Sequence, residues 1–257
     1  MAAAAHRIAP GGAPRVLILG ATSPIARALA LEYARGGAAL YLAARDTAEA
    51  ARIAQDLAVR TGAAAQAGPF EASDSAAHPE LIRRAAAALG GLDGVAVCFG
   101  ALGDEPTAHH DAAAALKIIT DNYTGAVSIL TLAADHLEAQ RSGFIIVIGS
   151  VAGERGRPRN YIYGSAKGAL ALFTQGLRAR FARTPIHVMT VILGTVDTRM
   201  TWGREGAFLT VAPERAATMI HKAWRRRAEV VYVPFFWRFI MGVIKAIPER
   251  FFKQLKF

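Results

Sequence analysis

Residues 16–27 read Val-Leu-Ile-Leu-Gly-Ala-Thr-Ser-Pro-Ile-Ala-Arg, and the fold turns on how that stretch is taken. Four consecutive apolar residues, Val16 to Leu19, suit a strand buried on both faces. Gly20 to Ser23 are small, and Thr22 or Ser23 can cap a following helix. Pro24 suits that helix's first turn, where a missing N–H costs nothing. Such a strand, turn and helix start presents backbone N–H groups and a helix dipole to an anion, as a pyrophosphate site requires. A tight strand–helix connection without a ligand has the same pattern. Of a Gly-x-Gly-x-x-Gly or Gly-x-x-x-Gly-x-Gly fingerprint only Gly20 is present, with Pro24 and Ala26 at the later places.

The rest of the chain repeats the theme. Ala39–Ala43, Val95–Cys98, Phe144–Ile148, His187–Leu193 and Val230–Val233 read as further buried strands. Pro24–Arg35, Ala48–Thr61, His78–Leu89, Ala112–Gln140 and Tyr161–Ala182 read as helices between them. The alternation predicts an α/β fold, a single doubly wound parallel sheet with helices on both faces. With 257 residues and 53% hydrophobic content there is material for one such domain over 15–234. Residues 1–14, rich in Ala and Gly, read as a flexible N-terminal tail, and 235–257 as a C-terminal amphipathic, basic and aromatic appendage. The lone cysteine, Cys98, excludes an internal disulfide. No uncharged apolar run reaches the roughly 18 residues of a spanning helix, so a cytoplasmic protein is expected.

Two features carry chemistry. The second strand ends in Ala43-Ala44-Arg45, a cation where an NAD site would usually place a carboxylate. A guanidinium suits the 2′-phosphate of NADP, so NADP (NADPH) is the favoured cofactor and NAD the alternative. Farther along, Tyr163 and Lys167 stand four residues apart in a helical segment and share a face. An ammonium beside a phenol stabilises the phenolate, which fits the phenol for proton exchange with a carbonyl oxygen. Ser150, just past a strand and thirteen residues before Tyr163, can donate a hydrogen bond to the same oxygen.

In this order the residues resemble the short-chain dehydrogenase/reductase family, from about Arg15 to Met200. Gly20-Ala-Thr-Ser-Pro-Ile-Ala26 is similar to its glycine-rich turn, and Leu193-Gly-Thr-Val-Asp-Thr198 to its Pro-Gly-x-Val-x-Thr. Phe70-Glu71-Ala72-Ser73-Asp74 lies where the family contacts adenine. Val97-Cys-Phe-Gly100 stands in place of Asn-Asn-Ala-Gly. Asn122, Ser150, Tyr163 and Lys167 match the catalytic tetrad in order and spacing. The resemblance implies a Rossmann-type fold and hydride exchange between a nicotinamide cofactor and a carbonyl or alcohol. Tyr163 would pass the proton, Lys167 would lower its pKa and hold the nicotinamide ribose, and Ser150 would polarise the carbonyl. Asn122 would hold a relay water. Gly20, Thr22, Ser23, Ile25, Arg45, Glu71, Ala72, Gly100, Gly194, Val196 and Thr198 would complete the cofactor site, the last two at the carboxamide. A homo-oligomer is also implied.

Two stretches speak to the substrate. The loop before Tyr163 carries Arg155, Arg157 and Arg159, which suit a phosphate; a solvated loop with Glu154 pairing one arginine is the alternative. The net charge of +10 is concentrated late, with ten Lys and Arg against three Glu from Pro213 onward. Phe235 to Ile247 is apolar nearly all round but has only 13 residues, too few to span a bilayer. Aromatics interleaved with Arg238, Lys245, Arg250, Lys253 and Lys256 suit an anchor on an anionic membrane surface, or a helix buried against a sister subunit. A nucleic-acid partner is not expected, because these aromatics are packed into one apolar run. Together with Phe99-Gly-Ala-Leu-Gly-Asp104, the loop and tail resemble one branch of the family, the keto-reductase partner of the polyprenylphosphoryl-ribose 2′-epimerase (a decaprenylphosphoryl-2-keto-erythro-pentose reductase). That implies a lipid-linked ketosugar substrate at a membrane. A reductase of soluble carbonyls or 3-oxoacyl thioesters and a non-catalytic dinucleotide-binding sensor are the other readings. His109-His110-Asp111 reads as a polar helix entry rather than a metal site, because no third ligand accompanies it.

Overall fold

Val16 to Leu19 has no polar side chain to turn toward water, so it belongs in the middle of a sheet. The computed structural model, which describes residues 13–198 and 209–255, places it there. The strands among the described residues are β1 (Arg15–Leu19), β2 (Ala39–Ala44), β3 (Ala65–Pro69), β4 (Gly94–Val97), β5 (Phe144–Ser150), β6 (His187–Leu193) and β7 (Val230–Val233). They form one parallel sheet in the order β3-β2-β1-β4-β5-β6-β7. The helices are α1 (Pro24–Arg35), α2 (Thr47–Thr61), α3 (His78–Leu89), α4 (Glu105–Ala108), α5 (Ala112–Ile119), α6 (Gly125–Gln140), α7 (Tyr161–Arg180), α8 (Pro213–Arg225), α9 (Trp237–Ala246) and α10 (Glu249–Phe252).

Alternate strand residues feed two cores. Val16, Ile18, Leu40 and Leu42 meet Leu29 and Tyr33 of α1, Ile53 of α2 and Ile220 of α8. Leu17, Leu19, Val95 and Val97 meet Leu81 of α3, Ile129 of α6 and Leu170 of α7. Each fully buried Leu or Ile contributes about 2 kcal/mol, so β1 alone anchors both layers. The chain crosses from β3 at one edge back past β1 to β4, which opens a crevice beyond the carboxyl ends of β1 and β4. Doubly wound sheets bind ligands at this switch point.

Besides the short helix α4, which the sequence reading did not contain, the structure departs from that reading in three elements. β3 went unrecognised because Ala65-Gln-Ala-Gly-Pro69 is an edge strand, half exposed and without an apolar run. The expected single helix over 112–140 is interrupted by a π-helical turn, Thr120–Thr124. There Asn122 Nδ2 donates to the carbonyl of Ile118, and such turns commonly mark functional positions. α8 was also missed: its charges drew attention, yet Ala216, Ala217, Ile220 and Ala223 are buried at helical spacing behind Pro213.

Past β7 the chain turns back onto the sheet end. Met241 of α9 packs with Val151 and Ile192, and Phe252 of α10 is buried. The apolar residues of the tail are thus divided between two faces: one is covered, and Phe235, Phe239 and Val243 stand out from the other. Among the described residues no helix is long and apolar enough to cross a membrane. Most of the N-terminal tail (1–12), Met200, Lys256 and Phe257 lie outside the described residues.

Candidate active site

The ends of β1, β4, β5 and β6 and the first turn of α1 converge on one cleft of about 1750 Å³. Thr22, Ser23, Pro24 and Ile25 line it on the α1 side. Gly20 holds the turn with φ of +75°, and a Cβ there would meet the Cβ of Phe99 at 2.7 Å, so no other residue fits without displacement. Ser23 is the residue that caps α1, its Oγ accepting from Ala26 N at 3.2 Å. Gly100 backs onto the side chains of Asn122 and Lys167. From the other side Gly194, Val196 and Thr198 line the cleft.

Arg45 and Glu71, expected on the cofactor, line a second, smaller hollow with Phe70, Asp74, His78 and Arg84. The Arg45 side chain is exposed, 3.9 Å from the carboxylate of Glu71. Ala72 is buried against Gly125 of α6.

The tetrad residues lie together in or beside the large cleft. Tyr163 sits in the first turn of α7 and is almost buried. Lys167, one turn on, is 3% exposed, with Nζ 5.8 Å from the Tyr163 ring centre and donating to the carbonyl of Ile148 at 3.1 Å. Burial brings its pKa down to about 8, since an ammonium loses water there. Ser150 Oγ accepts from Ala152 N at 3.1 Å, which leaves its proton to be donated into the cleft. Asn122 is 1% exposed; its Nδ2 donates to Ala101 O and Ile118 O, and its Oδ1 accepts from Ala101 N. With both amide protons committed, a relay water would find only the Oδ1 acceptor on this side chain. Cys98, beneath the cleft, is buried and its thiol is pushed up to about 12, which makes it an inert neighbour.

Sequence reasoning missed Glu105. This carboxylate is 3% exposed, and its Oε1 accepts the backbone N–H of Tyr163 at 2.7 Å. Asn160, the residue before α7, makes no capping bond with its side chain, so the helix that carries the tyrosine is capped from α4 instead. His109 Nε2 lies 3.5 Å from Glu105 Oε2, and its ring stacks on Tyr161 with centroids 4.8 Å apart. Asp111 caps α5 by accepting from Ala113 N, so 109–111 is in part the polar helix entry expected and in part a brace for the active helix. Among the described residues no cluster is arranged to hold a metal ion.

The three loop arginines part company. Arg157 and Arg159 line the cleft, whereas Arg155 does not. Its Nη2 donates to Ile247 O at 3.1 Å and to Glu249 at 2.7 Å, and its guanidinium lies over the Phe252 ring. Glu154, expected to pair an arginine if the loop were merely solvated, instead accepts from Tyr232 Oη at 2.6 Å and Lys245 Nζ at 2.8 Å. Loop and tail are thus strapped together. The tail reaches the cleft itself through Trp237, which lines it against Gly194.

A dinucleotide fits this arrangement. The first turn of α1 carries no acidic side chain to repel a pyrophosphate, and Arg27 lines the cleft beside it.

Comparison with known proteins agrees with the geometry. The family described as short chain dehydrogenase matches residues 14–206. An uncharacterized oxidoreductase of Mycobacterium tuberculosis is 35% identical over 244 residues, covering 95% of this chain and 98% of that protein. One from Streptomyces coelicolor is 36% identical over 246 residues, covering 95% and 97%. Among solved structures, a short-chain dehydrogenase from Sphingobium yanoikuyae in complex with NADPH superposes with a TM-score of 0.77 at 25% identity, over 92% of this chain and 97% of that one. An alcohol dehydrogenase from Thermococcus sibiricus complexed with 5-hydroxy-NADP shares the fold, with a TM-score of 0.74 at 21% identity over 85% and 95%.

Proposed function

Because the chain belongs to the short chain dehydrogenase family, we propose that this oxidoreductase interconverts a ketone and a secondary alcohol with NADPH. The observation that carries the reading is the pairing of nearly buried Tyr163 with buried Lys167 in the lining of a dinucleotide-sized cleft. When bound, the nicotinamide would supply or take the hydride. Tyr163 gives its phenolic proton to the carbonyl oxygen in reduction and takes it back in oxidation. The Lys167 ammonium favours the phenolate that forms when the proton leaves. Ser150 Oγ–H holds the carbonyl oxygen in place. The cofactor would rest on Gly20, Thr22, Ser23 and Ile25, with Gly194, Val196 and Thr198 at the nicotinamide end. Exposed Arg45 is free to swing from Glu71 to a 2′-phosphate, and the NADPH bound by the Sphingobium yanoikuyae relative supports that cofactor.

The substrate we propose is presented at an anionic membrane surface and is phosphorylated, as a lipid-linked ketosugar would be. Phe235, Phe239 and Val243, 71%, 65% and 68% exposed, are spaced every fourth residue on the outer side of the tail. Arg238, Arg250 and Lys253 of the same tail are exposed as well. Each cation near an anionic bilayer contributes on the order of 1 kcal/mol, and the aromatics add burial at the interface.

Tyr163→Phe tests the chemistry: turnover of carbonyl substrates falls by at least about 100-fold while NADPH binding stays within a few-fold. Unchanged turnover refutes the mechanism. Phe239→Asp tests the surface: sedimentation with phosphatidylserine vesicles is expected to be lost. Vesicle binding that persists, or a variant that instead dissociates an oligomer, assigns the face to another role.

A further inference from the structure

Two buried donors on residues of the cleft wall find no hydrogen-bond acceptor among the described residues: Arg157 Nε and Trp237 Nε1. As packed, both atoms are closed to water, so a ligand in the cleft reaches them as the Arg157 and Trp237 side chains turn toward it. Arg157 is partly buried, and loss of hydration pulls its pKa below the ordinary arginine value. Its Nη2 rests 3.5 Å from Met241 Sδ, a weak acceptor that carries no charge. Among the described residues no carboxylate lies within ion-pair distance of it. The nearest acid in sequence, Glu154, is held by Tyr232 and Lys245, and Arg155 has taken Glu249. Trp237 reaches the wall from α9, one turn before Met241. A Cβ on Gly194 would overlap its indole, so the ring is seated at the end of β6, in the same cleft as Ser150 and Tyr163.

A partly desolvated cation without a counter-ion costs free energy, and so does an unpaired indole N–H. Arg157 rests on Met241, one turn of α9 from Trp237, so a ligand group with several anionic oxygens between the two side chains relieves both costs when they turn to it. We propose that Arg157 and Trp237 form an anion subsite that holds a phosphate group of the substrate beside the reacting carbonyl. The proposal rests on the carbonyl-reducing reading above and assigns the substrate's charge to the inner wall, away from Arg155. It also gives the tail a direct part in substrate recognition, since one of the two donors comes from α9.

The test uses the full chain with NADPH saturating and inorganic phosphate as the probe, so that the cofactor's own phosphate sites are filled. Calorimetry is expected to show phosphate binding, weakened at least about tenfold in Arg157→Gln and measurably in Trp237→Phe, with Arg157→Lys partly restoring it. In turnover, phosphate is expected to compete with the carbonyl substrate and not with NADPH. Phosphate that binds equally well to all variants, competes with NADPH, or does not bind the loaded enzyme overturns the subsite. The binding arm needs no turnover. Failure of the carbonyl chemistry would show instead as activity retained in Tyr163→Phe, so the two failures are separable.

Discussion

Lys167→Met offers a measurement in which function and stability move in opposite directions. The side chain is 3% exposed, and burial holds the ammonium's pKa at about 8 against an ordinary 10.5. A drop of about 2.5 in pKa corresponds to about 3 kcal/mol spent keeping the charge inside the fold at neutral pH. Methionine fills a similar space without charge but gives up the bond to Ile148 O, which offsets about 1–2 kcal/mol. The net expectation is a gain of about 1–2 kcal/mol, or a Tm higher by roughly 3–6 °C in a chain of this size. The sign depends on pH. Below about 8 the folded protein holds the proton at a cost. Between about 8 and 10.5 the folded lysine is neutral while the unfolded one is still protonated, so wild-type stability rises through that window. Thermal unfolding of both proteins without cofactor, at pH 7 and pH 9.5, is expected to show a gap that narrows as pH rises. Turnover is expected to be nearly abolished, a trade typical of active sites. A variant less stable than wild type by the same amount at both pH values would refute the reasoning.

Other expectations follow from the same geometry. Glu105→Ala removes the cap on α7 and should cost about 1–2 kcal/mol of stability together with a fall in kcat, because Tyr163 loses its brace. Glu105→Gln, whose amide oxygen can still accept the Tyr163 N–H, should recover most of both; equal losses in the two variants would show that the charge and not the cap matters. Arg45→Ala breaks only an exposed 3.9 Å pair with Glu71, worth at most about 1 kcal/mol, so unfolding should barely change. The Kd for NADPH should rise far more than that for NADH, and equal rises would remove Arg45 from cofactor selection.

Local physics made much of this protein legible in its sequence. A strand buried on both faces must be apolar throughout, which exposed β1, β5 and β6. Helical spacing alone puts Tyr163 and Lys167 on one face, and the strand end at Ser150 is marked by the apolar run before it. The edge strand β3 escaped because a half-exposed strand needs no such run. The π turn at Asn122 escaped because it depends on a side chain competing with the helix ladder.

What only the tertiary structure decided are the partnerships between distant segments. Glu105 caps a helix whose tyrosine lies 58 residues away, and Arg155 binds Glu249 across 94. No periodicity records such pairs, since a charged residue in a loop has the same local pattern whether it faces substrate, solvent or another loop. The sequence set out three arginines alike before Tyr163. Folding the tail back onto the sheet end separated them, engaging Arg155 with Ile247 O and Glu249 of that tail and leaving Arg157, against Met241, and Arg159 in the cleft wall. That sorting follows from which surfaces the packed sheet brings within reach of one another, a property of the assembled layers and not of any one segment.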